Sequence, residues 1–123
     1  MKINIKATNL ELTPELGDYL GERIAHFDKL FSGKPDSEPL LQVELARENR
    51  HHKQGVIFRA EYNLHVDGKQ FRAVATEVDI RAAIDLARDE LTREVKSDKQ
   101  KRVTLVRRGA RRVKDFLRGF YKR

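Results

Sequence analysis

Of the residues from 96 to 123, twelve are Lys or Arg and only two, Asp98 and Asp115, are acidic. Phe116, Phe120 and Tyr121 are set among those cations. Side chains of this kind neutralise phosphates, a sequence-independent interaction that grows with the number of phosphates covered. The rest of the chain is different, because residues 1–95 carry a net charge of −3 while the whole carries +7. A mildly acidic body with a strongly basic end points to a polyanion as partner, either a nucleic acid or an anionic membrane surface.

Other chemistries find little support. The chain has no Cys, which removes disulfides, thiol nucleophiles and thiolate zinc sites. His51 and His52 are adjacent, so their rings project in different directions, and carboxylates would have to complete any metal site. A solvated turn is the simpler reading, and no metal or other cofactor is expected. Within the same stretch, Arg47, Arg50, His51, His52 and Lys53 form a basic hairpin tip able to meet phosphates. The acids fall on solvated faces, as with Glu22 beside His26 or Asp85 beside Arg88 and Asp89, and acid pairs this common carry no catalytic signal. Glycine-rich phosphate loops and a nucleophile elbow are both missing, so neither an enzyme nor a small-molecule substrate is indicated. With six Phe, three Tyr and no Trp, the chain offers no base-stacking platform for single strands. Recognition of folded RNA by shape and phosphates fits better.

The elements that must carry these cations follow from periodicity. KINIKA at 2–7 alternates as a short strand. Thr13 followed by Pro14 starts a helix, with a hydroxyl N-cap and then Pro at the first position. Leu16, Leu20, Ile24, Phe27 and Phe31 give that helix an apolar stripe of about five turns. Turn formers at 32–39 end it. Leu41, Val43 and Leu45 mark a second strand. Val56, Phe58, Ala60, Tyr62, Leu64 and Val66 mark a third, and Asp67-Gly68 is the turn of a tight hairpin. Phe71, Ala73 and Ala75 mark a fourth strand. Asp79 caps a second helix, whose stripe is Ile80, Ile84, Ala87, Leu91 and Val95. The reading is an α+β domain of β-α-β-β-β-α order, with both helices on one face of a four-stranded sheet and the other face polar. No apolar run reaches the ~20 residues of a spanning helix, and the N-terminus lacks a signal-peptide core. A soluble, cytoplasmic protein without a transmembrane segment is expected.

Two stretches carry a resemblance. LTPELGDYLGERIAHFDKLF resembles the first helix of the ribosome hibernation-promoting factors, also called ribosome-associated inhibitors. GKQFRAVATEVDIRAAIDLARDEL resembles their last strand and second helix, with the D-x-x-x-A-I-D signature at Asp79, Ala83, Ile84 and Asp85. The similarity spans about residues 1–101. It implies a non-enzymatic domain that binds the small ribosomal subunit near the decoding centre and inhibits translation by occupying the tRNA and mRNA channel. It also implies ribosomal RNA contacts from Arg23 and Lys29 on the first helix, and from Arg93, Lys96, Lys99 and Lys101 on the second. Three positions depart from the family pattern. His26 and Glu90 stand where Lys is usual, and Arg81 replaces the usual Tyr. Long members add a dimerisation domain, for which this chain has no counterpart, so self-driven ribosome pairing is not expected.

The division is thus 1–101 as a ribosome-binding domain and 102–123 as a basic extension. Within the extension Val113, Phe116, Leu117 and Phe120 recur at helical spacing, which makes 108–121 a candidate basic amphipathic helix. Arg81 and Arg88 on the second helix join the expected RNA contacts, as do Arg102, Arg107, Arg108, Arg111 and Arg112 in the extension. The alternatives are a general structured-RNA-binding protein, and an interaction module whose tail grips an anionic membrane or an acidic partner.

Overall fold

The computed structural model describes residues 1–30, 37–49 and 55–121, with the side chains of 28, 102, 103, 106 and 110–121 outside that description. The elements are β1 (Lys2–Thr8), α1 (Pro14–Ala25), a 3₁₀ turn (His26–Leu30), β2 (Leu40–Asn49), β3 (Val56–Val66), β4 (Lys69–Glu77) and α2 (Ile80–Tyr121). This is the α+β fold of β-α-β-β-β-α order. The sheet runs β1-β2-β3-β4, with β1 parallel to β2 and the other pairings antiparallel. A parallel pair needs a crossover, and α1 supplies it.

Local chemistry sets the boundaries. Thr13 is extended, and its Oγ1 accepts the Leu16 N–H at 3.2 Å, with Pro14 opening the helix. Asp67 and Gly68 both take positive φ, 48° and 74°, as a type I′ hairpin turn requires. The Asp79 carboxylate accepts the Arg81 N–H at 3.3 Å, and its carbonyl accepts from Ala83 at 3.1 Å.

Helix α1 is shorter than its apolar stripe suggests. It ends at Ala25, and His26–Leu30 winds on as a 3₁₀ turn, a frequent end for an α-helix. Spacings of three and four residues suit both helix types, so the stripe does not distinguish them. The tighter turn still buries Phe27, whose ring meets Tyr62 edge-on with centroids 5.8 Å apart. Phe31 and most of the 32–39 turn lie outside the described residues, as does the hairpin tip at 50–53.

Helix α2 is longer than its buried stripe. Its 42 residues pass through 101 and 102 without a break. The change in charge there does not interrupt the backbone, because Lys and Arg are good helix formers. At 1.5 Å per residue the helix is ~63 Å long, while the part over the sheet, Ile80 to Asp98, accounts for ~28 Å.

The core lies between the helices and one sheet face. Leu20, Ile24, Ile84, Leu91 and Val95 from the helices meet Leu41, Leu45, Ala60, Tyr62 and Leu64 from the strands, all nearly or wholly buried. Tyr62 keeps its hydroxyl satisfied by donating to the Ile84 carbonyl at 3.2 Å. Burial drives its pKa well up. At the far end Lys69 Nζ reaches the Asp98 carboxylate at 2.9 Å and ties α2 to the β3–β4 hairpin. Strand β1 is an edge, and Ile3 and Ile5 stay about two-fifths exposed.

Leu91 is fully buried at the middle of this contact. Leu91→Ala should cost about 2–5 kcal/mol by urea unfolding. A change under ~1 kcal/mol would contradict this packing.

Candidate nucleic-acid interface

Burying the α2 stripe fixes which residues point outward. Arg81, Asp85, Arg88, Lys96 and Lys99 follow one another at helical three- and four-residue steps, with Thr92 between them, and so share a row. That row flanks α1. At its start the two helices interlock through one carboxylate. Tyr19 Oη donates to Asp85 Oδ2 at 2.5 Å, and Arg23 Nε donates to Asp85 Oδ1 at 3.0 Å. The Arg23 guanidinium also lies 4.2 Å from the centre of the Tyr19 ring, and that of Arg81 lies 5.1 Å from it. Both distances are within cation–π range. Partial burial and the Asp85 charge raise the Tyr19 pKa, while the bond to Asp85 raises that of Arg23. Asp85 is therefore not paired with Arg88 and Asp89 in the solvent, as its spacing suggests. Arg88 alone pairs with Asp89, at 2.8 Å, and Glu22 lies 3.6 Å from Arg23 rather than beside His26 as a pair.

The other expected contacts divide by position. Lys29 is exposed on the 3₁₀ turn. Lys96, Lys99, Lys101, Arg107 and Arg108 are exposed along α2. Arg93 and Lys101 line a groove between α2 and β4 together with Phe71, Glu94, Ser97 and Asp98. The side chains of Arg102, Arg111 and Arg112 lie outside the description, as does the apolar stripe at 113–120. Arg47 is exposed beside Asn9, Glu48 and Asn49 at the end of β2. Glu90 is half-buried and falls about half a turn from the Arg81–Lys99 row, so it does not interrupt that row.

The opposite sheet face is neutralised from within. Arg59 sits across from Ala46, so Glu44 and Glu48 flank it diagonally. It bonds Glu48 at 2.7 Å and also Glu44, and it lies 3.8 Å from Glu61. Lys6 approaches Glu44 at 3.7 Å, and Arg72 Nε donates to Glu61 at 3.1 Å. Arg59 holds the Glu44 pKa below its ordinary value. Among the described residues, Arg59 and Arg72 on this face are held by glutamates, whereas Arg81 on α2 has no ion-pair partner. Among the described residues there is no group of three metal-ligating side chains, and no helix long and apolar enough to cross a membrane.

These features define a small α+β binding domain that presents cations from its helices. A family model described as "Sigma 54 modulation protein / S30EA ribosomal protein" matches residues 3–103, and the chain belongs to that family. It is similar to a ribosome hibernation promoting factor of Azotobacter vinelandii, 30% identical over 103 residues that make up 84% of this chain and 87% of that protein. The counterpart from Pseudomonas putida is 29% identical over 112 residues, 91% of this chain and all of that protein. Among solved structures, the N-terminal domain of Thermus thermophilus Protein Y superposes with a TM-score of 0.64 at 30% identity, covering 79% of this chain and 98% of that one. A ribosomal subunit interface protein of Coxiella burnetii shares the fold, with a TM-score of 0.60 at 16% identity over 81% of this chain and 99% of that one.

The Arg59 fan has a measurable acid signature. A depressed carboxylate pKa adds stability that is present above the unfolded value and is lost as pH falls through the folded one. Wild-type stability should therefore fall as pH drops below the usual glutamate range. Arg59→Gln should cost about 1–2 kcal/mol near neutral pH and show a smaller acid loss by urea unfolding. Equal acid loss in both proteins would count against the assignment.

Proposed function

We propose that this chain binds the small ribosomal subunit through ribosomal RNA near the decoding centre. It inhibits translation there by filling the channel used by tRNA and mRNA, which needs occupancy and no chemistry. The observation that carries this reading is the cationic row on α2, held at a fixed angle by the buried stripe beneath it. The names of the similar proteins, ribosome hibernation promoting factors, support it. Arg23, Arg81, Arg88, Lys96 and Lys99 form one contact set, Arg93 and Lys101 a second, and Lys29 extends the first from the 3₁₀ turn. The body, 1–101, supplies shape, and the extension, 102–123, supplies the net positive charge, with Arg102, Arg107, Arg108, Arg111 and Arg112 on phosphates. Binding of this kind is salt-dependent because it releases counterions. The working compartment is the cytoplasm, where ribosomes act.

The test is co-sedimentation with purified small subunits at about 0.15 M salt, where long-range attraction is screened beyond ~8 Å. The full chain should pellet with subunits and resist displacement by excess duplex RNA. Replacing Lys96, Lys99 and Lys101 with Gln should weaken binding roughly uniformly and make the salt dependence shallower by up to about three phosphates. Ending the chain at Lys101 should weaken it further. Failure to pellet, or equal competition by duplex RNA, would overturn the reading.

A further inference from the structure

The Tyr19–Asp85 junction is built more closely than an interhelical tie requires. Asp85 uses one oxygen for the Tyr19 hydroxyl at 2.5 Å and the other for Arg23 Nε at 3.0 Å. Both residues on α1 are therefore oriented by a single group on α2, 62 and 66 positions away in sequence. The Arg23 guanidinium carbon is held over the Tyr19 ring, 4.2 Å from its centre. Only Nε is bound to Asp85, and among the described residues the one other ion-pair neighbour is Glu22, 3.6 Å away and itself three-quarters exposed. The Arg23 fork is thus fixed in direction, with donors still to offer. Arg81 adds a second guanidinium at the same ring, 5.1 Å from its centre. Among the described residues Arg81 has no ion-pair partner. A planar guanidinium matches phosphate oxygens with paired donors, and holding it in place beforehand reduces the entropy lost on binding.

We propose that Tyr19 and Asp85 are positioning residues that make Arg23 and Arg81 a preformed two-guanidinium seat for an RNA phosphodiester. This rests on the ribosomal RNA reading above and adds to it the device that orients two of its contacts. Asp85 contributes although it carries the wrong charge for RNA. It is a negative group beside the proposed interface whose removal should weaken binding. Simple charge counting demands the reverse, since deleting an anion near a polyanion should strengthen the complex.

That opposition of signs gives the experiment. Full-length wild type, Asp85→Asn, Glu22→Gln and Tyr19→Phe are titrated against purified small subunits over a range of salt. Asp85→Asn and Glu22→Gln make the same charge change beside the same arginine, but only Asp85 orients it. Asp85→Asn should weaken binding roughly three- to tenfold, as expected for one misplaced charged contact, and make the salt dependence shallower by about one phosphate. Glu22→Gln should bind equally or more tightly. Tyr19→Phe keeps the ring and loses one bond to Asp85, so it should fall between wild type and Asp85→Asn. Circular dichroism and urea unfolding of each variant separate folding from affinity, and Tyr19→Phe carries the test if Asp85→Asn does not fold. Should wild type fail to bind subunits, the ribosomal reading itself falls and the seat with it. Should wild type bind while Asp85→Asn or Tyr19→Phe binds as well or better, the positioning role is overturned and the junction is only a structural tie.

Discussion

Burial of the α2 stripe on the sheet is the contact on which the other features depend. Ile84, Ala87, Leu91 and Val95 can reach β3 and β4 in only one rotational setting of the helix. That setting turns Asp85 toward α1, sends Arg81, Arg88, Lys96 and Lys99 along one flank, and leaves Arg93 and Lys101 beside β4. A helix turned by one residue, 100°, would bury charge and lose the tie between Lys69 and Asp98. The arrangement of cations is thus set by apolar packing beneath them.

The two sheet faces divide the work. One is covered by helices and closed by Tyr62, whose hydroxyl is satisfied inside the core. The other binds its own charges, with Arg59 reaching three glutamates and Arg72 and Lys6 completing the set. A face that satisfies its own ions has little left for a polyanion. Among the described residues, exposed cations that include Arg81, Lys96 and Lys101 stand along α2 instead.

Much of the fold was legible because its signals are local. Thr13-Pro14, Asp67-Gly68 and Asp79 each act within three or four residues, and the strands show their faces through alternation. The features that escaped depend on distance or register. Nothing near Asp85 in sequence indicates that its partners are Tyr19 and Arg23, and its local neighbours Arg88 and Asp89 suggest a solvated pair. The Arg59 fan appears only once Ala46 is known to lie opposite it. Basic residues on α2 were visible as composition, but their division between two flanks needed the azimuth of the helix. The continuity of α2 past residue 101 was hidden by a shift in charge, which marks a change of surroundings and not of backbone conformation.

The length of α2 has an electrical consequence. Residues 1–95 carry net −3 and residues 96–123 carry net +10, joined by one uninterrupted helix. In the field of a polyanion these two ends feel opposite forces, and a stiff connection converts the difference into torque. At low ionic strength, where the field extends well beyond contact, that torque would turn the molecule tail foremost before collision. The backbone dipole of the helix adds to the permanence of this arrangement, because cations near a helix C-terminus are favourably placed. The chain behaves as a compass needle whose pivot is the folded domain.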